Sequence, residues 1–175
     1  VLAPLRRTIR GAMDPLSHAS HEHHDRLIPH VEQLARLAQM IDEGITPEFL
    51  EACEAEHRFI VSQLLPHMEA IEATLYGELD RLMEGRHSMA PMRREHAELR
   101  RLIESTSRYH DLVTTGRLGM AEAMGLRRAL YRLHALLRVH LAEEELYLRV
   151  LDRGLSEAEK DELARGIDHA MAEPL

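Results

Sequence analysis

Apolar residues recur along most of this chain at alternating spacings of three and four, the period that keeps side chains on one face of an α-helix. The clearest stripe is Leu126, Leu130, Leu133, Leu137, His140, Glu144, Tyr147 and Leu151. Two polar residues, His140 and Glu144, stand in it where leucines belong. A first stripe reads His24, Leu27, Val31, Leu34, Ala38 and Ile41; a second reads Leu50, Cys53, His57, Ile60, Leu64, His67, Ile71 and Leu75. A third reads Met89, Met92, His96, Leu99, Ile103, Thr106, His110 and Val113. Caps and breakers delimit these stripes. Asp14-Pro15 starts a helix that runs to Asp42 before Gly44, and Thr46-Pro47-Glu48 starts the next. Pro29 predicts a kink near His30, and Pro66 adjoins His67. Gly77 ends the second helix, and Gly85 closes a short following piece. Ser88 caps the third helix, Gly116 and Gly119 break the pattern, and the fourth runs from near Ala121 to before Gly154. Ser156 with Glu159 has the spacing of a capping box for a short fifth helix, packed outside the rest, with Leu163, Ile167 and Met171 on one side.

This pattern predicts an all-α protein, an up-and-down four-helix bundle with a short C-terminal helix. Its parts are an arm at 1–13, the bundle at 14–153 and the last helix at 154–175. The composition agrees: 45% of the 175 residues are hydrophobic, enough for a core, and only 3% are aromatic, so little favours strands. A formal net charge of −8 argues against nucleic acid, which calls for a basic face. No apolar run is long enough for a bilayer, and the N-terminal segment lacks a signal core, so the expectation is a cytoplasmic protein without a membrane partner. The single Cys53 excludes an internal disulfide framework.

Thirteen histidines are the compositional oddity. A carboxylate in an apolar stripe is costly unless paired or bound to a metal, and His140 with Glu144 at i+4 can reach one ion. The alternative is a satisfied core histidine beside a solvated acidic run, Glu143 to Glu145. Depth decides between them. With a rise of about 1.5 Å per residue, His24, His67 and His96 lie roughly 10–15 Å from the helix ends at one end of the bundle, and His140 roughly 18–20 Å. One histidine per stripe at similar depth points to a metal site. His30 and His134 lie about 9 Å further along; they either reach a second metal ion, cover the site or stay half-exposed. Glu54 and His57 have a Glu-x-x-His spacing but too different a height, and are read as a polar core layer. His18, His21, His23, His87 and His169 are read as surface residues, with His21 an alternative to His24.

The segments EHHDRLIPHVEQL, LLPHMEAIEATLY, SMAPMRREHAELRRLI and LHALLRVHLAEEELYL resemble, in order, the hemerythrin-like HHE cation-binding family, especially its actinobacterial versions. The resemblance spans residues 22 to 152. It implies a four-helix bundle around two Fe ions, oxo- or hydroxo-bridged, that react with hydrogen peroxide, O₂ or NO. His24, His67, His96 and His140 then match metal ligands, and Glu144 matches a bridging carboxylate. Two departures stand out. Where the family places Glu four residues after the second-helix histidine, this chain has Ile71, with Glu72 next. Met92, four before His96, occupies a position where oxygen carriers place histidine. Glu72, His30 or His134 could complete the coordination.

The leading functional expectation is therefore a di-iron protein of oxidative or nitrosative defence, with peroxide decomposition favoured over simple oxygen carriage. The rival from another class is an iron- or oxygen-sensing regulatory module. A third reading is a structural bundle, and a homodimer through the fifth helix or the arm is compatible with each.

Overall fold

The computed structural model describes residues 15–83 and 88–172, with side chains from residue 24 onward except at 168 and 170–172. The predicted arm at 1–13, the Asp14 cap, the turn around Gly85 to His87 and the side chains of His18, His21 and His23 lie outside these. Every element among the described residues is helical. Helix α1 (Pro15–Met40) continues through Pro29, tightens into a 3₁₀ turn (Ile41–Glu43) and reverses at Gly44, whose φ of 102° suits a residue without Cβ. Helix α2 (Pro47–Phe59) is capped by the Thr46 hydroxyl, which accepts the Phe49 N–H at 3.2 Å. One π-helical turn (Ile60–Leu64) joins α2 directly to α3 (Leu65–Leu82). Helix α4 (Ala90–Thr114) follows, then α5 (Met120–Gly154) and α6 (Glu157–Ala172). At the start of α6 the predicted capping box forms, with Glu159 accepting the Ser156 N–H at 2.8 Å.

The π turn corrects one predicted stripe. A single π turn carries one extra residue and rotates the helix before it by about 100° relative to the helix after it. From the end of the turn onward the predicted Leu64, His67, Ile71 and Leu75 are all buried, joined by Met68, Ala70, Tyr76 and Leu79. Before it the buried set is Phe49, Glu56 and Phe59, one position earlier than the predicted Leu50 and His57. Leu50 is accordingly exposed, and Cys53 and His57 are only half-buried. The Glu54 and His57 pair is not a core layer either. Glu54 is solvent-exposed and holds His110 at 2.8 Å, and His57 stacks on His110 with ring centroids 4.0 Å apart.

Contacts run in opposite directions along neighbouring helices. Between α1 with its 3₁₀ turn and α5, His24 meets Glu144 while Asp42 meets Arg127. Between α3 and α4, Asp80 caps Met89 while Glu72 reaches Arg100. Helix α6 packs against α3 and α1, adding Leu163 to the core. The buried apolar residues form two separate bodies. The larger gathers Leu27, Val31, Leu34, Leu64, Met68, Leu99, Leu133, Leu137 and their neighbours. The smaller gathers Ile71, Leu75, Tyr76, Leu79, Met89, Met92, Leu148 and Leu151. The boundary between the two bodies falls just after His67 on α3, between Met68 and Ile71, at His96 on α4, and at Glu144 on α5, just after His140. No described helix is long and apolar enough to cross a membrane.

Candidate metal centre

The layer between the two apolar bodies is built from one residue of each stripe and a second from α5. His24 comes from α1, His67 from α3, His96 from α4, and His140 and Glu144 from α5; all five are at most 5% exposed. Three imidazole nitrogens surround one carboxylate oxygen. Glu144 Oε2 lies 3.5 Å from His24 Nε2, 3.6 Å from His67 Nε2 and 3.8 Å from His140 Nε2. Neither Glu144 oxygen makes a hydrogen bond of good geometry. Burial strongly opposes ionisation of Glu144, but His67 and His24 outweigh it and hold the carboxyl well below the usual carboxylate range. Together His24, His67 and Glu144 form a group able to hold a metal ion.

The other half of the layer has a different logic. His96 Nδ1 points at Glu72 Oε2, 3.1 Å away, and His140 Nδ1 points at Glu95 Oε2, 3.0 Å away. A carboxylate only accepts, so each Nδ1 carries a proton, and in the neutral form of the two rings each Nε2 is then a lone pair. Those two lone pairs face each other at 3.0 Å. Neutral imidazoles so placed have no proton to share, and protonation is disfavoured: burial, then neighbouring His140, brings His96 down to about 4. Glu72 stays ionised despite burial because Arg100, at 2.9 Å, and His96 both bind it. The Tyr76 hydroxyl also reaches His96 Nε2, at 3.0 Å.

Not every expected residue joins this layer. The His30 ring stacks on Phe59 with centroids 3.9 Å apart, and its Nδ1 meets buried Glu56 at 3.3 Å. His134 turns to Glu32 on α1 at 3.5 Å. Ile71 packs in the smaller apolar body, and Glu72 binds the outer nitrogen of His96 instead of filling the place of the absent carboxylate. Sequence reasoning passed over Glu95 and Glu56, and read Tyr76, with Tyr109, Tyr131 and Tyr147, as a structural hydroxyl before a proton or electron donor. Glu72 and Tyr76 are spaced i, i+4 and so share a face, but no pattern within α3 says that this face meets His96. A groove of about 350 Å³ between α1 and α5, lined by His24, Ile28, Arg138, Leu141 and Glu145 among others, reaches the His24 side of the layer.

The profile of the hemerythrin HHE cation binding domain matches residues 16–151, a span that contains the whole layer. No curated protein and no solved structure matches the chain.

Proposed function

Because the chain belongs to the hemerythrin HHE cation binding domain family, we propose that the buried layer holds two iron ions and that the protein reacts there with a small oxidant. Hydrogen peroxide is favoured over O₂ and NO, in a role of oxidative or nitrosative defence. The proposed ligands are His24, His67, His96, His140 and Glu144, with Glu144 shared between the two ions. His30 and His134, engaged elsewhere, are left out of that set. The up-and-down order of four helical runs is part of the same reading, supported by the opposed contacts of neighbouring helices.

One observation carries the proposal: two imidazole lone pairs converge at 3.0 Å beside a buried carboxylate. Such an arrangement is repulsive by itself and is relieved by cations. The donor set of imidazole and carboxylate suits iron. When bound, iron supplies redox chemistry and an open position for a small oxidant.

The residues of the chain do the rest. Glu72 and Glu95 hold His96 and His140 in the tautomer whose Nε2 faces inward and make those nitrogens more basic. The apolar bodies above and below exclude water, and the groove of about 350 Å³ beside His24 is the side from which a small oxidant would approach. Peroxide is favoured because two molecules of it give O₂ and two of water with no external reductant.

The test is iron loading of the purified protein, followed by metal analysis and measurement of O₂ released from peroxide. Two irons per chain and O₂ release are expected. Glu144→Ala should lower both iron affinity and turnover by at least about tenfold. Full turnover in that variant, or a wild type that takes up no iron, would defeat the proposal.

A further inference from the structure

The layer divides into two unequal halves. His24, His67 and Glu144 bring two nitrogens and a carboxylate together. The other half has two nitrogens, His96 Nε2 and His140 Nε2, and shares Glu144 only at 3.8 Å from His140. Among the described residues it has no carboxylate of its own on its inner side, because Ile71 stands at the position one turn after His67 and packs among apolar residues. Two cations over four neutral imidazoles and one carboxylate would leave a large uncompensated positive charge in a dry layer.

Tyr76 supplies what is missing. Its hydroxyl is an oxygen from α3 that the structure brings to an inward-facing ring nitrogen of this layer, 3.0 Å from His96 Nε2. Two donors each about 2.1 Å from a common ion and at right angles to it are about 3.0 Å apart. The separations Tyr76 Oη to His96 Nε2 and His96 Nε2 to His140 Nε2 are both 3.0 Å. The ring is held in place: it is 1% exposed, packed with Leu75 and Leu79 in the smaller apolar body, and covered by the Arg93 guanidinium 5.3 Å from its centroid. Glu72, one turn before Tyr76 on the same face, clamps His96 from its other nitrogen, so α3 addresses His96 through both residues.

Resting on the two-iron reading, we infer that the Tyr76 phenolate oxygen is a further protein ligand of the His96 and His140 metal position, beside the shared Glu144 and in place of the carboxylate that Ile71 does not provide. On metal binding the phenol O–H bond breaks, the oxygen keeps the electron pair and the proton leaves to solvent; no electron is transferred. The second metal position then has two nitrogens and an anionic oxygen of its own, matching the first.

The experiment is visible absorption and resonance Raman spectroscopy of the ferric-loaded protein with metal analysis, on wild type, Tyr76→Phe and Tyr76→His. Wild type is expected to bind two irons and to show a phenolate-to-iron charge-transfer band with tyrosinate ring modes in Raman. Tyr76→Phe should lose the band and bind the second iron at least about tenfold more weakly. Tyr76→His should lose the band yet recover much of the second-iron affinity. A wild type with two irons but no tyrosinate modes overturns the inference and leaves the two-iron reading standing. So does an unchanged spectrum in Tyr76→Phe. A wild type that binds no iron defeats both. Because the Raman signature is read on wild type, a variant that fails to fold does not rescue the inference.

Discussion

Glu56 and Glu144 are both buried carboxyls, yet their surroundings drive them in opposite directions. Glu144 is ringed by imidazoles that overcome its burial. Glu56 has only His30, at 3.3 Å, and burial pushes it up to about 7. One of its oxygens has no hydrogen-bond partner. The folded state therefore keeps a proton on Glu56 between its ordinary value of 4.5 and about 7, where the unfolded chain has released it. That contribution to stability is present at low pH and is lost as pH rises through the folded value. Glu56→Gln removes this dependence. Relative to wild type, the variant should gain on the order of 1–3 kcal/mol between pH 5 and pH 8. Urea unfolding at the two pH values measures the gain, and equal differences at both would show that Glu56 is not held protonated. The same burial, with Glu56 adding to it, pushes the neighbouring Cys53 thiol up to about 12, so it stays a thiol and is a poor nucleophile at neutral pH.

At the scale of the element, the π turn at Ile60–Leu64 sets which residues of the long helical run face inward. It lets Phe49, Glu56 and Phe59 face α1 and α4 while His67 faces the layer. Helix propensity cannot reveal it, because a π turn costs one residue of phase and leaves the composition unchanged. Ser62 is exposed and its hydroxyl only bonds back to the Arg58 carbonyl at 2.7 Å, so it carries no packing of its own. Deleting Ser62 should restore α-helical phase and turn either α2 or α3 away from its neighbours by about 100°. The expected result is retained far-UV helical signal with iron affinity reduced by at least about tenfold. Circular dichroism and metal titration on the same sample test this. Unreduced affinity would mean that the turn does not aim His67. The cap signals at Thr46 and Ser156 were readable because each is a local bond within three residues.

For the whole molecule, the layer is a polar partition through the core. Without a cation, its five buried residues keep two apolar bodies apart and contain the facing lone pairs of His96 and His140. An ion that binds the folded state alone stabilises it by mass action, about 2.7 kcal/mol when present at 100 times its Kd. For a chain of this length, chelation should lower Tm by on the order of 5–10 °C. Thermal unfolding with and without chelator measures the shift. Glu144→Ala should show a much smaller one, and an equal shift in both proteins would place the stabilising ion elsewhere.

The sequence alone determined the helices, most of their limits and the inward placement of His24, His67, His96, His140 and Glu144, because constant helical period reports which face of one helix is buried. It could not determine how helices are rotated against one another. The π turn exchanged His57 for Glu56 at the core. The rotation of α3 towards α4 gave Glu72 to His96 Nδ1 and Tyr76 to His96 Nε2. The packing of α1 turned His30 to Phe59 and brought Glu32 to His134. Those pairings arise between helices, where no spacing within a single helix records them, and only the tertiary structure decides them.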